Sequence, residues 1–202
     1  MEKQSARLTF DDWLRARAAG IIQPLARWLG ERQLHPNTIT ILGFVLTAGA
    51  SVIIGVGQLK WGAVAMLVAS ATDALDGTLA RITSQQSRFG AFLDSTLDRL
   101  SEGVVLIGLL TWFASQRMAG AAVLTSVVLL GSLMVSYTRA RAEGVGYACK
   151  VGMLTRPMRV ILLGVGMLSP WLVPTLVILA VLTWATSVQR IAHVYRESRL
   201  NP

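Results

Sequence analysis

Four aspartates at helical spacing are the part of this chain most able to do chemistry. Asp73 and Asp76 are three residues apart and Asp94 and Asp98 four apart, so each pair lies on one face of a helix. They sit in a sequence that otherwise reads as membrane, where acids are costly and need a partner. Four acids with no equal set of nearby bases point to shared divalent cations. Carboxylate oxygens alone suit hard ions, so Mg2+ or Mn2+ is expected, as two ions. Gly77, Ala80 and Gly90 are small and let a bulky ligand and a neighbouring helix come close. Arg81 ends the first acidic helix with a phosphate-binding cation. Metals and an arginine at a membrane surface are the equipment of phosphoryl transfer, with a carboxylate to take the proton of an attacking hydroxyl. The bland alternative is that the acids pair with Arg81, Arg88 and Arg99 to hold helices together.

The elements that position these residues follow from composition. The 202 residues are 53% hydrophobic with a formal charge of +8, and mean hydropathy is +0.54. An apolar, basic chain of this length is expected to be a polytopic membrane protein with basic loops. The long uncharged runs leave no soluble surface for a nucleic-acid-binding protein, the other class a high charge suggests. Cys149 is the only cysteine, so no intramolecular disulfide forms, and no histidine lies near it in sequence to activate it. The first 36 residues carry Glu2, Asp11, Asp12 and Glu31 and no apolar core, so no cleaved signal peptide is expected.

Residues 9–33 read as an amphipathic helix, with Trp13, Ile21, Leu25, Trp28 and Leu29 on one side and Arg15, Arg17, Arg27 and Arg32 elsewhere. Such a helix lies in the membrane interface or packs on a domain; Pro24 permits a bend. After the turn at His35-Pro36, Asn37 or Thr38 is the expected N-cap. One span lies between Gln33 and Leu59, where there is no charge. A second runs from Trp61 into the acidic motif, a third from near Gly90 through Trp112, and a fourth over about 121–139. A helical hairpin follows, with spans near 157–170 and 172–194. The fold class is therefore all-α integral membrane. An N-terminal segment, 1–36, carries the interfacial helix, and a six-span catalytic domain covers 37–202. The outside loops, near 57–61, 115–120 and 169–172, contain only Lys60 and Arg117 among the basic residues. By the positive-inside rule, both termini, the 82–89 loop and the 140–156 loop are cytoplasmic. Trp61, Trp112, Trp171 and Trp184 are expected at the interface or facing lipid.

Asp73-x-x-Asp76-Gly77-x-x-Ala80-Arg81, eight residues, then Gly90-x-x-x-Asp94-x-x-x-Asp98 resembles the signature of the CDP-alcohol phosphotransferase family, with all eight fixed positions present within 26 residues. Pro36-Asn37-x-Ile39-Thr40 resembles the family's opening at the first span. The resemblance implies displacement of CMP from a CDP-linked lipid, CDP-diacylglycerol or CDP-archaeol, by an alcohol that takes over the phosphatidyl group. It implies Asp73, Asp76 and Asp94 as metal ligands. Asp98 is then the general base and a fourth acid able to touch a metal. Gly77, Ala80, Arg81 and Gly90 would border the CDP moiety. It also implies a homodimer.

The acceptor is read from a basic set. Arg139, Arg156, Arg159 and Arg190 come from separate helices and suit an acceptor carrying its own phosphate; positive-inside decoration is the plain alternative. Ser136-Tyr137-Thr138-Arg139-Ala140-Arg141-Ala142-Glu143, Arg156-Pro157-Met158-Arg159 and Gln189-Arg190 are similar to the branch that uses inositol 1-phosphate. That branch has Glu-Arg-Pro-Glu-Arg where this chain has Thr155-Arg156-Pro157-Met158-Arg159, so glycerol 3-phosphate stays as the second candidate. A cation transporter is the alternative from another class, and it would need a path open to both faces.

Overall fold

The computed structural model describes residues 10–200, the side chains of residues 10–19 and 21 excepted. Among the described residues every regular element is a helix. In chain order they are α1 (Phe10–Glu31), α2 (Pro36–Gly55), α3 (Leu59–Ser70), α4 (Thr72–Ile82), α5 (Arg88–Ser115), α6 (Ala119–Gly144), α7 (Arg156–Leu168) and α8 (Leu172–Leu200).

Local chemistry sets the helix ends. α2 begins at Pro36, whose ring holds a helical φ and whose missing N–H costs nothing in the first turn. Its cap is therefore His35, two residues before Asn37, the earlier of the two expected caps: the imidazole Nδ1 accepts from the Asn37 N–H at 3.2 Å, and Asn37 and Thr38 are already helical. α5 is capped by Ser87, whose hydroxyl accepts from the Gly90 N–H at 2.9 Å. Gln33, Ser84 and Arg117 take left-handed backbone angles (φ 56°, 54° and 57°) two residues past the ends of α1, α4 and α5, turning the chain out of each helix.

The run from Leu59 to Ile82 is one apolar stretch of 24 residues, but its helix is interrupted at Ala71. α2 crosses close to that break. A methyl placed on Gly43 would collide with Thr72 Oγ1, and that hydroxyl already donates to the Ala69 carbonyl at 2.6 Å. Only a glycine lets the two helices meet there.

One large apolar core, including Ile54, Leu106, Leu109, Phe113, Leu176 and Leu179, fills the bundle. A smaller one, formed by Ala26, Leu29, Ile39, Leu75 and Leu79, lies under α1. The face expected on α1 is thus divided. Leu29 packs inward against α4, whereas Leu25 and Trp28 stand exposed. Trp13, Ile21, Arg15 and Arg17 belong to the residues whose side chains lie outside those described. Trp61, Trp171 and Trp184 are exposed, but Trp112 packs against the large core, beside Phe113.

Among the described residues, four helical stretches are long and apolar enough to cross a membrane: Pro36–Gly55, Leu59–Ile82, Ala119–Gly144 and Leu172–Leu200. α5 has the length, at 28 residues, but carries Asp94, Asp98, Arg99 and Glu102. α7 has 13 residues. Val52, Val68, Val123, Val181 and Val188 face outward from the bundle, as in helices solvated by lipid.

Candidate active site

α4 and α5 are consecutive helices joined by a short turn, and α2, which packs against both, sets the two acidic helices around one space. Asp73, Asp76 and Asp94 line one open cleft of about 1190 Å³, along with Gly77, Ala80, Arg81 and Gly90. α2 contributes Asn37 and Thr40 to the same cleft, and α1 contributes Gln23 and Arg27. Asp76 is the most enclosed of the four acids, 5% exposed, and its Oδ2 accepts from Thr40 Oγ1 at 2.6 Å. A methyl on Gly90 would lie 3.0 Å from Ser87 Oγ and 3.1 Å from Asn37 Oδ1, so the glycine admits the cap and the α2 side chain at the start of α5.

Asp98 faces away from the cleft lining, toward α7. There Arg156 Nη1 lies 2.8 Å from Asp98 Oδ1 and 2.5 Å from Asp73 Oδ2. One guanidinium nitrogen therefore links the first acid of α4 to the last acid of the motif on α5. One turn deeper, Arg159 makes a fork-to-fork pair with Glu102, Nε to Oε1 and Nη2 to Oε2, both at 2.6 Å. The simple pairing considered from sequence takes a different form. Among the described residues, no ion pair joins Arg81, Arg88 or Arg99 to the four acids. Arg81 bonds within its own helix, to the Gly77 carbonyl and Thr78 Oγ1, and Arg99 donates to the Ser95 carbonyl. As the side chains are oriented, no three acidic, histidine or cysteine side chains among the described residues are grouped closely enough to hold one ion; Asp73 and Asp98 are turned to Arg156. The donor set itself, carboxylate oxygens from two consecutive helices around an open cleft, fits hard divalent cations.

The four expected acceptor arginines are dispersed. Arg156 lies among the acids. Arg139 is exposed near the end of α6, with Nε 2.9 Å from Glu143 Oε1. Arg190 is buried on α8 and donates through Nε to the Val151 carbonyl at 2.9 Å and through Nη1 to the Val135 carbonyl. Arg159 is buried with Glu102. Cys149 is a buried free thiol, and His193 Nε2 lies 3.1 Å from the Ala148 carbonyl. Three contributors escaped the sequence reading: Glu102, Gln23 and the contact of Thr40 with Asp76. Glu102 had a usable signal, since it stands one helical turn beyond Asp98 on the same face.

The family model for CDP-alcohol phosphatidyltransferase matches residues 33–192. The chain belongs to that family. It is therefore a membrane-lipid enzyme of the transferase type, and the matched range contains all four acids and every residue of the cleft from α2, α4 and α5. The archaetidylinositol phosphate synthase of Methanothermobacter thermautotrophicus is 38% identical over 169 residues, covering 81% of this chain and 84% of that one. The phosphatidylinositol phosphate synthase of Mycobacterium tuberculosis is 38% identical over 192 residues, covering 90% and 88%. Solved structures of that mycobacterial protein superpose on this fold. The one with CDP-DAG bound has a TM-score of 0.84 at 35% identity, covering 88% of this chain and 94% of that one. The complex with manganese and citrate has a TM-score of 0.83, covering 87% and 89%.

Proposed function

We propose that this chain transfers the phosphatidyl or archaetidyl group of a CDP-linked lipid to inositol 1-phosphate and releases CMP. The observation that carries the reading is the meeting of Asp73, Asp76 and Asp94 in one cleft, with Asp98 and Arg156 joined behind it. The relatives named for inositol phosphate products support the acceptor, and the mycobacterial structures with CDP-DAG and with manganese support the donor and the cofactor.

Asp73, Asp76, Asp94 and Asp98 would hold Mg2+ or Mn2+, two ions, which when bound neutralise diphosphate oxygens. Thr40 holds the Asp76 carboxylate in place. Gly77, Ala80, Arg81 and Gly90 border the CDP moiety, with Arg81 at the exposed mouth of the cleft. The acceptor hydroxyl oxygen bonds to the lipid-bearing phosphorus as the bond to the bridging oxygen breaks. CMP leaves with that oxygen and its electron pair, and the hydroxyl proton passes to Asp98. Arg139, Arg156 and Arg190 are the acceptor-phosphate residues. Arg159, expected with them, is instead engaged at both ends of its fork by Glu102.

In the membrane the reading is six spans, with α3 and α4 together forming one and α5 and α7 completing the set. α7 covers about 20 Å of a hydrocarbon core about 30 Å thick, so it is completed by the flanking residues. The termini and the site are cytoplasmic, which the concentration of arginines at that end supports. α1 lies at the interface, with Leu25 and Trp28 exposed and the Arg32 guanidinium 4.5 Å from the Trp28 ring centre. The division into 1–36 and 37–202 follows from this, and a homodimer rests on family resemblance alone.

The test is CMP release by purified protein from a labelled CDP-lipid with a panel of acceptors. Inositol 1-phosphate should react and plain inositol should not. Reaction with glycerol 3-phosphate but not inositol 1-phosphate would make this a phosphatidylglycerophosphate-forming enzyme, and a lack of CMP release with every acceptor would sink the reading.

A further inference from the structure

We propose that the buried Glu102–Arg159 pair is a positioning element, which fixes the first turn of α7 against α5 and thereby holds Arg156 between Asp73 and Asp98. This rests on the transferase reading above and assigns Arg159 a role that contact with substrate would not need.

Two ion pairs join the same two helices in a ladder. Asp98 and Glu102 are four residues apart on α5, and Arg156 and Arg159 three apart on α7, so each set lies on one face. The rungs are Asp98–Arg156 at 2.8 Å and Glu102–Arg159 at 2.6 Å. The rungs differ in solvent access. The side chains of the outer rung are 20% and 22% exposed; those of the inner rung are 9% and 4% exposed. The inner guanidinium is held at two nitrogens by two carboxylate oxygens, a planar geometry that fixes orientation as well as distance. The outer one is held differently: both of its ion pairs run through Nη1, and its buried Nε has no protein partner. Arg156 alone is thus loosely aimed, and the rigid pair is one turn away on the same helix.

Stability is a poor reason for two charges at this depth. Well-packed apolar residues of similar volume often replace a buried ion pair without loss, whereas removing one partner is strongly destabilising. What apolar packing does not supply is a fixed rotation of α7 about its axis. Glu102, Arg156 and Arg159 border a small, mainly apolar cavity of about 20 Å³, whose wall also includes Val105, Leu106 and Leu163. An apolar wall offers Arg156 no directional contact, and the ion-pair ladder is what sets its place.

The experiment compares Glu102→Gln, Arg159→Lys and the double variant Glu102→Leu/Arg159→Met in lipid nanodiscs. Acceptor and CDP-lipid kinetics, thermal stability and an α5–α7 distance are measured on each. The distance is read between spin labels at Leu100→Cys and Val165→Cys, both exposed positions, with Cys149→Ala removing the native thiol. Misplacing a positioned group by about 1 Å can cost about 100-fold, so the double variant should lose between about 10- and 100-fold in acceptor kcat/KM. Its CDP-lipid KM should hold and its distance distribution should broaden or shift. Arg159→Lys, which keeps charge but loses the fork, should fall between it and wild type. An acceptor kcat/KM and a distance both like wild type in the double variant would overturn the proposal. So would losses that affect both substrates equally and follow thermal stability. If Glu102→Gln does not fold, the double variant, which leaves no lone charge, decides by the same readings; if that also fails to fold, the pair is a folding determinant and the proposal fails. A wild-type protein inactive on every acceptor would instead sink the transferase reading, and the distance arm would still judge the positioning.

Discussion

Thr40 Oγ1 donates to Asp76 Oδ2 at 2.6 Å, across 36 residues of sequence and from a different helix. The contact fixes the most enclosed acid of the cleft by a hydroxyl on α2, so the opening of the first apolar helix is part of the site. A hydrogen bond to a charged group contributes about 1.5–3 kcal/mol. Thr40→Val keeps the shape and removes the donor. It should lower divalent-ion affinity and CMP release by roughly tenfold or more, with Thr40→Ser restoring most of both. Calorimetric titration of Mn2+ checks the first and CMP release the second. Equal behaviour of the Val and Ser variants would show that the hydroxyl is dispensable.

Removing divalent ions should abolish CMP release. Asp73→Asn, Asp76→Asn and Asp94→Asn should each do the same at saturating Mg2+, since each removes a charged donor from an oxygen-only set. The measurement is turnover with chelator and after Mg2+ or Mn2+ is returned. Undiminished turnover in chelator would rule out the metal-dependent reading.

Asp98 pairs with Arg156, as Asp73 does, but unlike the other three acids it does not line the cleft. General-base catalysis is typically worth about 100- to 10,000-fold. Asp98→Asn should lose turnover in that range and still bind CDP-lipid. Loss of CDP-lipid binding in an equilibrium assay would make Asp98 chiefly a metal ligand and place the base elsewhere.

Arg156 holds two carboxylates and stands nearest the acids of the expected acceptor arginines. Arg156→Ala should raise the acceptor KM by about tenfold or more, the value of one charge-assisted contact. It should also lower thermal stability, because Asp73 and Asp98 then face each other without the guanidinium. Arg139→Ala, which breaks only an exposed pair with Glu143, should raise the acceptor KM with little change in stability. Steady-state kinetics with inositol 1-phosphate and a melting curve for each variant separate the two effects. An Arg156→Ala protein with an unchanged acceptor KM would remove Arg156 from the acceptor site.

Much of this protein was determined by the sequence alone. Uncharged runs and basic loops predict an all-helical membrane chain because backbone polar groups in lipid must be satisfied within the segment. Helical spacing puts Asp73 with Asp76 and Asp94 with Asp98, and the short 82–89 connection keeps the two pairs close along the chain. These are local facts, legible within 26 residues, although it is α2 that packs against both helices. Tertiary structure decided which partner each charged group takes. Arg156 reaches Asp73 across 83 residues, Arg159 reaches Glu102 across 57, and Thr40 reaches Asp76 across 36. No periodicity encodes such pairings, because they depend on how helices pack and rotate against one another. The same reason explains the divided face of α1, where Leu29 turns to α4 and Trp28 away, and the break at Ala71, where Gly43 lets α2 pass close to Thr72. A buried charge must find a counter-charge wherever the packed helices bring one within reach, and only the fold determines which one that is.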